Sequence, residues 1–384
     1  MSDRQMGEPV KRVGSVLLSA VAAATITVVG MGATTASADP YGINPIPIIN
    51  GMPLGLPQFT APSDAQVISY FTGLESPNNT TQRFNVLGTD LGIMWDNGAG
   101  QVLTAFGDTF GFGLDGMLHD GIGDWRSNVL FRSNDHNLAA GMTIASSPED
   151  RPGHSKELIH SRKIPGIENT VVPTAGVAVN GVQYMRMMSV RLWGAPGEWQ
   201  TNRSMLAYST DNGENWQLDG RLDRPNSGPF ANFQMSSFVK DGGYVYEFGT
   251  PEGRQGDARL ARVPEAQIRD MGAYEYWDGH NWIKGKPEVA AVVIPGPVSE
   301  MSVQYNSYLG QYLAMYTQNA SLVLRQSPSL TGPWSPPRVL VPANAMPGLY
   351  GGFMHPWSSG PNLYFLATDF PRYNVMLMHT TLRK

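Results

Sequence analysis

The chain has 384 residues, with 27 Lys+Arg against 32 Asp+Glu, a net charge of −5 and no cysteine. That charge argues against a nucleic-acid binder held by a basic stripe. The absence of thiols excludes disulfides, a cysteine nucleophile and a cysteine–zinc site. Only 15% of residues are charged, and 43 Gly, 29 Pro and 10% aromatics fit a strand-and-turn globule better than a helical bundle or a disordered chain.

In chain order, Lys11-Arg12 precedes an apolar run, 13–31, followed by Ala36-Ser37-Ala38. A basic stretch, an apolar stretch and a small-x-small site predict a secretory signal peptide over 1–38, cleaved near Ala38. The expected mature protein is secreted or held in the cell envelope, with no transmembrane segment. An uncleaved anchor is the competing reading, because the run approaches membrane-spanning length. Residues 39–64 carry Pro40, Pro45, Pro47, Pro53, Pro57 and Pro62 and predict an extended linker or strap. Residues 65–384 are expected to form one domain.

Within that domain a pattern recurs five times. Short apolar strands end at Ser133, Ser209, Val263, Ser327 and Thr380. Each follows a hairpin with its own turn signal: Asn97-Gly98, Asn180-Gly181, Asp241-Gly242-Gly243, Asn306 to Gly310, and Ser359-Gly360. Asn-Gly or Asp-Gly between apolar runs is a strong hairpin signal. A hairpin plus an outer strand, repeated in this way, predicts an all-β, five-bladed β-propeller, which leaves only short sheet edges. A β-sandwich or jelly roll would explain the turns but not their recurrence. Ser209-Thr210-Asp211-Asn212-Gly213-Glu214-Asn215-Trp216 resembles the Asp-box of sialidase-like propellers. Ser327 to Trp334 resembles the outer blade turn of five-bladed glycosidases. Both are read as architecture, as is the Met185/Met187/Met188 cluster.

In a propeller the first strand of each hairpin lines the axis. Counting back from the turns reaches Asp90, Thr174, Gln234 and Glu300, with His355 the nearest polar residue in the fifth repeat. A carboxylate is unusual inside a strand. A hairpin centred on Asn97–Gly100 places Asp108 near Asp90, and two acids that close cannot both ionise cheaply. Trp125, Arg126 and Asn128 follow a Gly-rich segment starting at Asp120. Arg126 either pairs with a site carboxylate or forms a structural ion pair. With Gln234 and His355, these residues are candidates to bind substrate. Trp193 and Trp199 are further possible sugar platforms. No P-loop, G-x-S-x-G, H-E-x-x-H or sustained metal-ligand spacing occurs, so no cofactor or metal is expected.

The ordered set Gly88-Thr89-Asp90-Leu91-Gly92, Phe106-Gly107-Asp108-Thr109-Phe110, Ser127-Asn128-Val129-Leu130, Ser299-Glu300, Gln304-Tyr305-Asn306 and Gly332-Pro333-Trp334-Ser335 resembles an actinobacterial propeller family. That family was once described as a domain of unknown function and later as endo-D-arabinanase glycoside hydrolases. The resemblance covers about residues 65–384. It implies internal cleavage of α-D-arabinofuranosyl linkages in cell-wall arabinogalactan and lipoarabinomannan. It does not fix which acid does what. Glycoside hydrolysis needs one protonated and one ionised carboxyl, so Glu300 is assigned as general acid and Asp90 as base or nucleophile. Asp108 tunes and orients, with a role exchangeable with that of Asp90. A non-catalytic glycan-binding propeller at the cell surface and an exo-acting furanosidase are the alternatives. The oligomeric state is not readable from the sequence.

Overall fold

A computed structural model of the chain describes residues 55–113 and 124–384. The expected signal peptide, residues 39–54 of the strap and residues 120–123 of the Gly-rich segment lie outside the described residues. Among those described, no helix is long and apolar enough to cross a membrane.

Apart from a small ribbon, Glu149–Arg151 with His154–Ser155, the strands form five antiparallel sheets. Blade 1 is built from Gly88–Asp96, Val102–Gly111 and Val129–Ser133, with Asp124–Arg126 also paired to its second strand. Blade 2 has Thr170–Val179, Val182–Trp193 and Trp199–Ser209; blade 3 has Met235–Asp241, Tyr244–Thr250 and Ala258–Pro264. Blade 4 has Met301–Asn306, Gln311–Gln318, Ser321–Ser327 and Arg338–Val341. Blade 5 has Leu349–Met354, Asn362–Asp369 and Asn374–Thr381, and its outer strand is Ala65–Tyr70 from the other end of the domain. The first strands of the blades touch one another in cyclic order, blade 5 returning to blade 1. The chain is a five-bladed β-propeller.

The local causes are those of short twisted hairpins. Asn180 and Gly181 sit at φ 50° and 79°, the pair of positive values that a two-residue turn needs to match strand twist. Gly242 and Gly243, at φ 55° and 83°, do the same between Asp241 and Tyr244.

The apolar core lies between blades. Trp95, Leu103 and Leu130 of blade 1 meet Met185, Met187 and Met205 of blade 2. Phe238, Val245 and Ala261 of blade 3 meet Val177 and Leu206 of blade 2. Val239, Phe248 and Leu260 meet Val303, Tyr316 and Val323 across the blade 3–4 interface. Met315 and Leu324 meet Phe365 and Met378 across blades 4 and 5, while Phe106 and Phe131 meet Leu366 and Leu377 to complete the ring. Each fully buried Val, Leu, Phe or Met among them contributes about 1.5–3 kcal/mol.

Both outer turns reach back to the preceding blade. Ser209 Oγ accepts from Gly213 N (2.9 Å), Asp211 accepts from Asn215 N (2.9 Å), and the Trp216 ring lies 6.5 Å from that of Trp95. Trp334 likewise sits 5.8 Å from Phe248.

Candidate active site

Asp90 is the third residue of the first strand of blade 1, Gly88–Asp96, at the end away from the hairpin turn. The hairpin register pairs Thr89 with Thr109 and Ile93 with Ala105, and is irregular between them, where Leu91 faces Phe106. Leu91 adopts φ 69° and Gly92 φ 94°. A positive φ is uncommon for leucine and stores strain where it occurs. Leu91 N is fixed by Thr368 Oγ1 at 2.9 Å. The irregularity sets Asp90 over Gly107. A Cβ on Gly107 would lie 2.4 Å from Asp90 Oδ1, so only glycine leaves room for this carboxyl.

Asp90 Oδ2 accepts from the Tyr350 hydroxyl at 2.7 Å. Its Oδ1 and the Tyr373 hydroxyl are buried without a close hydrogen-bond partner among the described residues, and the Tyr373 pKa is raised by burial and then by the nearby Asp90 charge. Burial, then the charge of Asp108, pushes the Asp90 pKa up to about 8 against the pull of the Tyr350 hydrogen bond. Asp108 is buried in the partner strand and accepts from Thr170 Oγ1 (2.5 Å) and Trp125 Nε1 (3.0 Å). Burial raises its pKa, the two donors hold it back, and it settles at about 6.

Glu300 immediately precedes the first strand of blade 4, Met301–Asn306. Both its oxygens accept from Arg254, from Nε at 2.9 and 3.2 Å and from Nη2 at 2.8 Å. The Arg254 guanidinium lies 4.7 Å from the Tyr350 ring centroid and 5.6 Å from that of Trp199. Tyr350 therefore joins Asp90 to the Arg254–Glu300 pair. Asp90 feels the charges of both Asp108 and Glu300, and Trp125 binds Asp108, so these side chains are neighbours at the end of the blade 1 hairpin away from its turn.

The remaining candidates are engaged differently. Arg126 donates to the carbonyls of Ser155 and Asn85 and pairs with Asp124 at 3.1 Å. The Asn128 amide bridges four backbone groups, donating to Ile159 and Val171 and accepting from Leu158 and Ile159. Gln234 accepts from Thr201 Oγ1 and donates to the Arg224 and Phe230 carbonyls. The side chains of these residues are spent on holding loops and strands. Thr174 bonds the Arg186 carbonyl deeper in the channel. His355 follows the end of Leu349–Met354, at the opposite mouth; it is fully buried, and burial lowers its pKa to about 4.

The axis holds a cavity of about 370 Å³ lined by residues such as Asp96, Thr174, Ser237, Lys240, Gln304 and Met354. The three acids are not among its lining residues. Among the described residues no cluster of three or more His, Asp or Glu is arranged to hold a metal ion.

Thr170, Tyr350, Tyr373 and Arg254 are site residues that the turn-counting rule does not reach. Thr170 opens a first strand ten residues long, so counting from its turn stops short. Tyr350 is displaced because residues 355–361 form a longer connection than a tight hairpin.

Residues 75–379 match the family described as a domain of unknown function, DUF4185. The chain belongs to the DUF4185 family. This DUF4185 protein is 30% identical over 310 residues to the notoamide biosynthesis cluster protein J of an Aspergillus species, covering 75% of this chain and 81% of that protein. In fold it is similar to a Bacteroides ovatus protein (TM-score 0.53, 14% identity, 78% of this chain and 87% of the other). It is also similar to the exo-β-1,3-galactanase of Phanerochaete chrysosporium, with a TM-score of 0.51 and 12% identity over 82% of this chain. The DUF4185 chain spans 63% of that galactanase. The propeller is thus of the kind found in glycoside hydrolases.

Proposed function

We propose that this DUF4185 protein is an exported glycoside hydrolase that cleaves α-D-arabinofuranosyl linkages within cell-wall arabinan. The carrying observation is the Asp90–Asp108 pair, two neighbouring carboxyls whose surroundings set their pKa values to about 8 and about 6. Near neutral pH one holds its proton while the other is largely ionised, the division of labour that glycosidic cleavage requires. Asp90 is the general acid that protonates the leaving oxygen. Asp108, whose ionised form is favoured by Thr170 and Trp125, is the base or nucleophile. These roles differ from the assignment of Glu300 as acid, because both Glu300 oxygens are held by Arg254. The propeller likeness to a galactanase supports a saccharide substrate, and the ordered motifs around Asp90, Asp108 and Glu300 support arabinan.

The test is incubation of the protein with arabinogalactan, followed by sizing of the products. Internal cleavage gives a ladder of oligosaccharides; exo-cleavage gives a single small product. Absence of any product from a folded, saccharide-binding preparation would leave the non-catalytic glycan binder.

A further inference from the structure

We infer that Arg254 and Glu300 form a sugar-hydroxyl subsite beside the catalytic pair, with Trp199 and Tyr350 as its walls. This rests on the glycosidase reading and assigns Glu300 to substrate binding.

Three observations converge. First, the guanidinium is immobilised: Nε and Nη2 are both on Glu300, Cζ lies 4.7 Å from the Tyr350 ring and 5.6 Å from the Trp199 ring, and Arg254 N donates to the Gly197 carbonyl at 2.9 Å. Second, it is not sealed. The Arg254 side chain is 27% exposed, and its bonds to Glu300 use Nε and Nη2, leaving Nη1 out of that grip. On Glu300, Oε1 accepts two bonds from Arg254 while Oε2 accepts one, so an acceptor site remains. A fixed N–H pair beside a carboxylate lone pair presents a donor next to an acceptor. A sugar hydroxyl, which donates and accepts, satisfies both. Third, the position is right. The Tyr350 ring faces Arg254 and its hydroxyl holds Asp90, so a saccharide with its scissile oxygen at Asp90 has its neighbouring hydroxyls beside the pair. The Trp199 Nε1 is buried there without a hydrogen-bond partner among the described residues.

A general acid at Glu300 would have to release a proton from a carboxyl that Arg254 already grips. A plain strut between blades 3 and 4 would have no use for a guanidinium left partly exposed.

The experiment uses Arg254→Lys, which keeps the charge and removes the fork, and Glu300→Gln. KM and kcat are measured on arabinan. Binding of a short D-arabinofuranosyl oligosaccharide is measured by calorimetry in the Asp108→Asn background. Charged hydrogen bonds to a ligand make the expected loss about 10- to 100-fold in KM and in affinity. The change in kcat should stay within a few-fold. A collapse of kcat at unchanged KM in Glu300→Gln would restore the acid role and overturn the inference. A lowered thermal midpoint with wild-type KM and affinity would overturn it in favour of a strut. If wild type releases no product, the glycosidase reading fails on its own account. The calorimetry still decides the subsite: affinity lost in Arg254→Lys supports it, and equal affinity, or none in the parent, refutes it.

Discussion

Two carboxylates with little access to water meet opposite fates in this ring. Glu247, in the second strand of blade 3, is gripped by Arg224 at 2.6 and 2.8 Å, lies 3.4 Å from Arg186, and accepts from Ser236. Burial pushes its pKa up, but Arg224 and Arg186 overcome this and bring it down to about 2. Asp90 has no cation in hydrogen-bonding contact among the described residues but accepts from the Tyr350 phenol, and burial carries its pKa up to about 8. A buried charge is tolerable when paired, and an unpaired one neutralises itself instead. The paired acid locks strands together, whereas the unpaired acid keeps a proton available at neutral pH.

The strongest way to break this contrast is a pair of near-isosteric changes. Asp90→Asn is expected to lower kcat about 10²–10⁴-fold, the span of general acid catalysis, with the thermal midpoint unchanged or higher. Glu247→Gln is expected to do the reverse. It strands two buried arginines and destabilises by about 3–5 kcal/mol, with activity per folded molecule intact. Kinetics and thermal melts on the same samples decide. If both variants lose stability and neither loses rate, Asp90 is structural.

Stability against pH sharpens the contrast, because the two acids have opposite signs. The Asp90 pKa in the fold, about 8, exceeds its ordinary value of 3.8. The folded state therefore holds the extra proton between these limits, and its stability falls as pH rises through them. The gain from Asp90→Asn should grow from about pH 4 to about pH 8. Glu247 lies below its ordinary value of 4.5, at about 2. Its contribution is present above about pH 4.5 and is lost as pH falls towards 2. Melting series on wild type and both variants will show diverging differences, and parallel curves would contradict the assignment.

Gly107→Ala is a subtler probe. The added Cβ meets only the far end of Asp90, at 2.4 Å, so the carboxyl moves while the fold barely responds. Misplacing a reacting group by about 1 Å can cost about 10²-fold in rate. An Ala variant with wild-type kcat would show that the carboxyl position is unimportant. The smallest expected effect is that of Trp125→Phe. It removes one of the donors that hold the Asp108 pKa down, so the acid limb of the rate profile, near pH 6, moves upward. The basic limb, near pH 8 and set by Asp90, stays in place.

The propeller was legible because hairpin turns have strict chemistry: Asn180-Gly181 and Asp241-Gly242-Gly243 mark blades by backbone geometry alone. Asp90 and Asp108 were legible for the same reason, since the hairpin register brings them together despite the irregularity at Leu91. Tyr350 and Arg254 were not. Their places depend on a longer connection in blade 5 and on the 251–256 loop meeting blade 4, neither of which has a local signature. Gln234 and Asn128 show the converse limit. A polar residue near a channel mouth can have its side chain fully engaged by the scaffold: Asn128 bonds only backbone groups, and Gln234 bonds two carbonyls and the Thr201 hydroxyl.

The fifth blade takes its outer strand, Ala65–Tyr70, from one end of the domain and its other three from the opposite end, pairing Ala65 with Thr380. During synthesis, residues 65–70 emerge early and have no native partner until residues 374–381 leave the ribosome. Four blades can assemble as they appear, but the ring stays open until the last strand arrives. Contacts of such long sequence separation form slowly. Until then the unpaired edges of the growing sheet are exposed to other chains. A chain stalled shortly before residue 374 would therefore be an incomplete ring prone to aggregation, even though four blades and most of the fifth had been made.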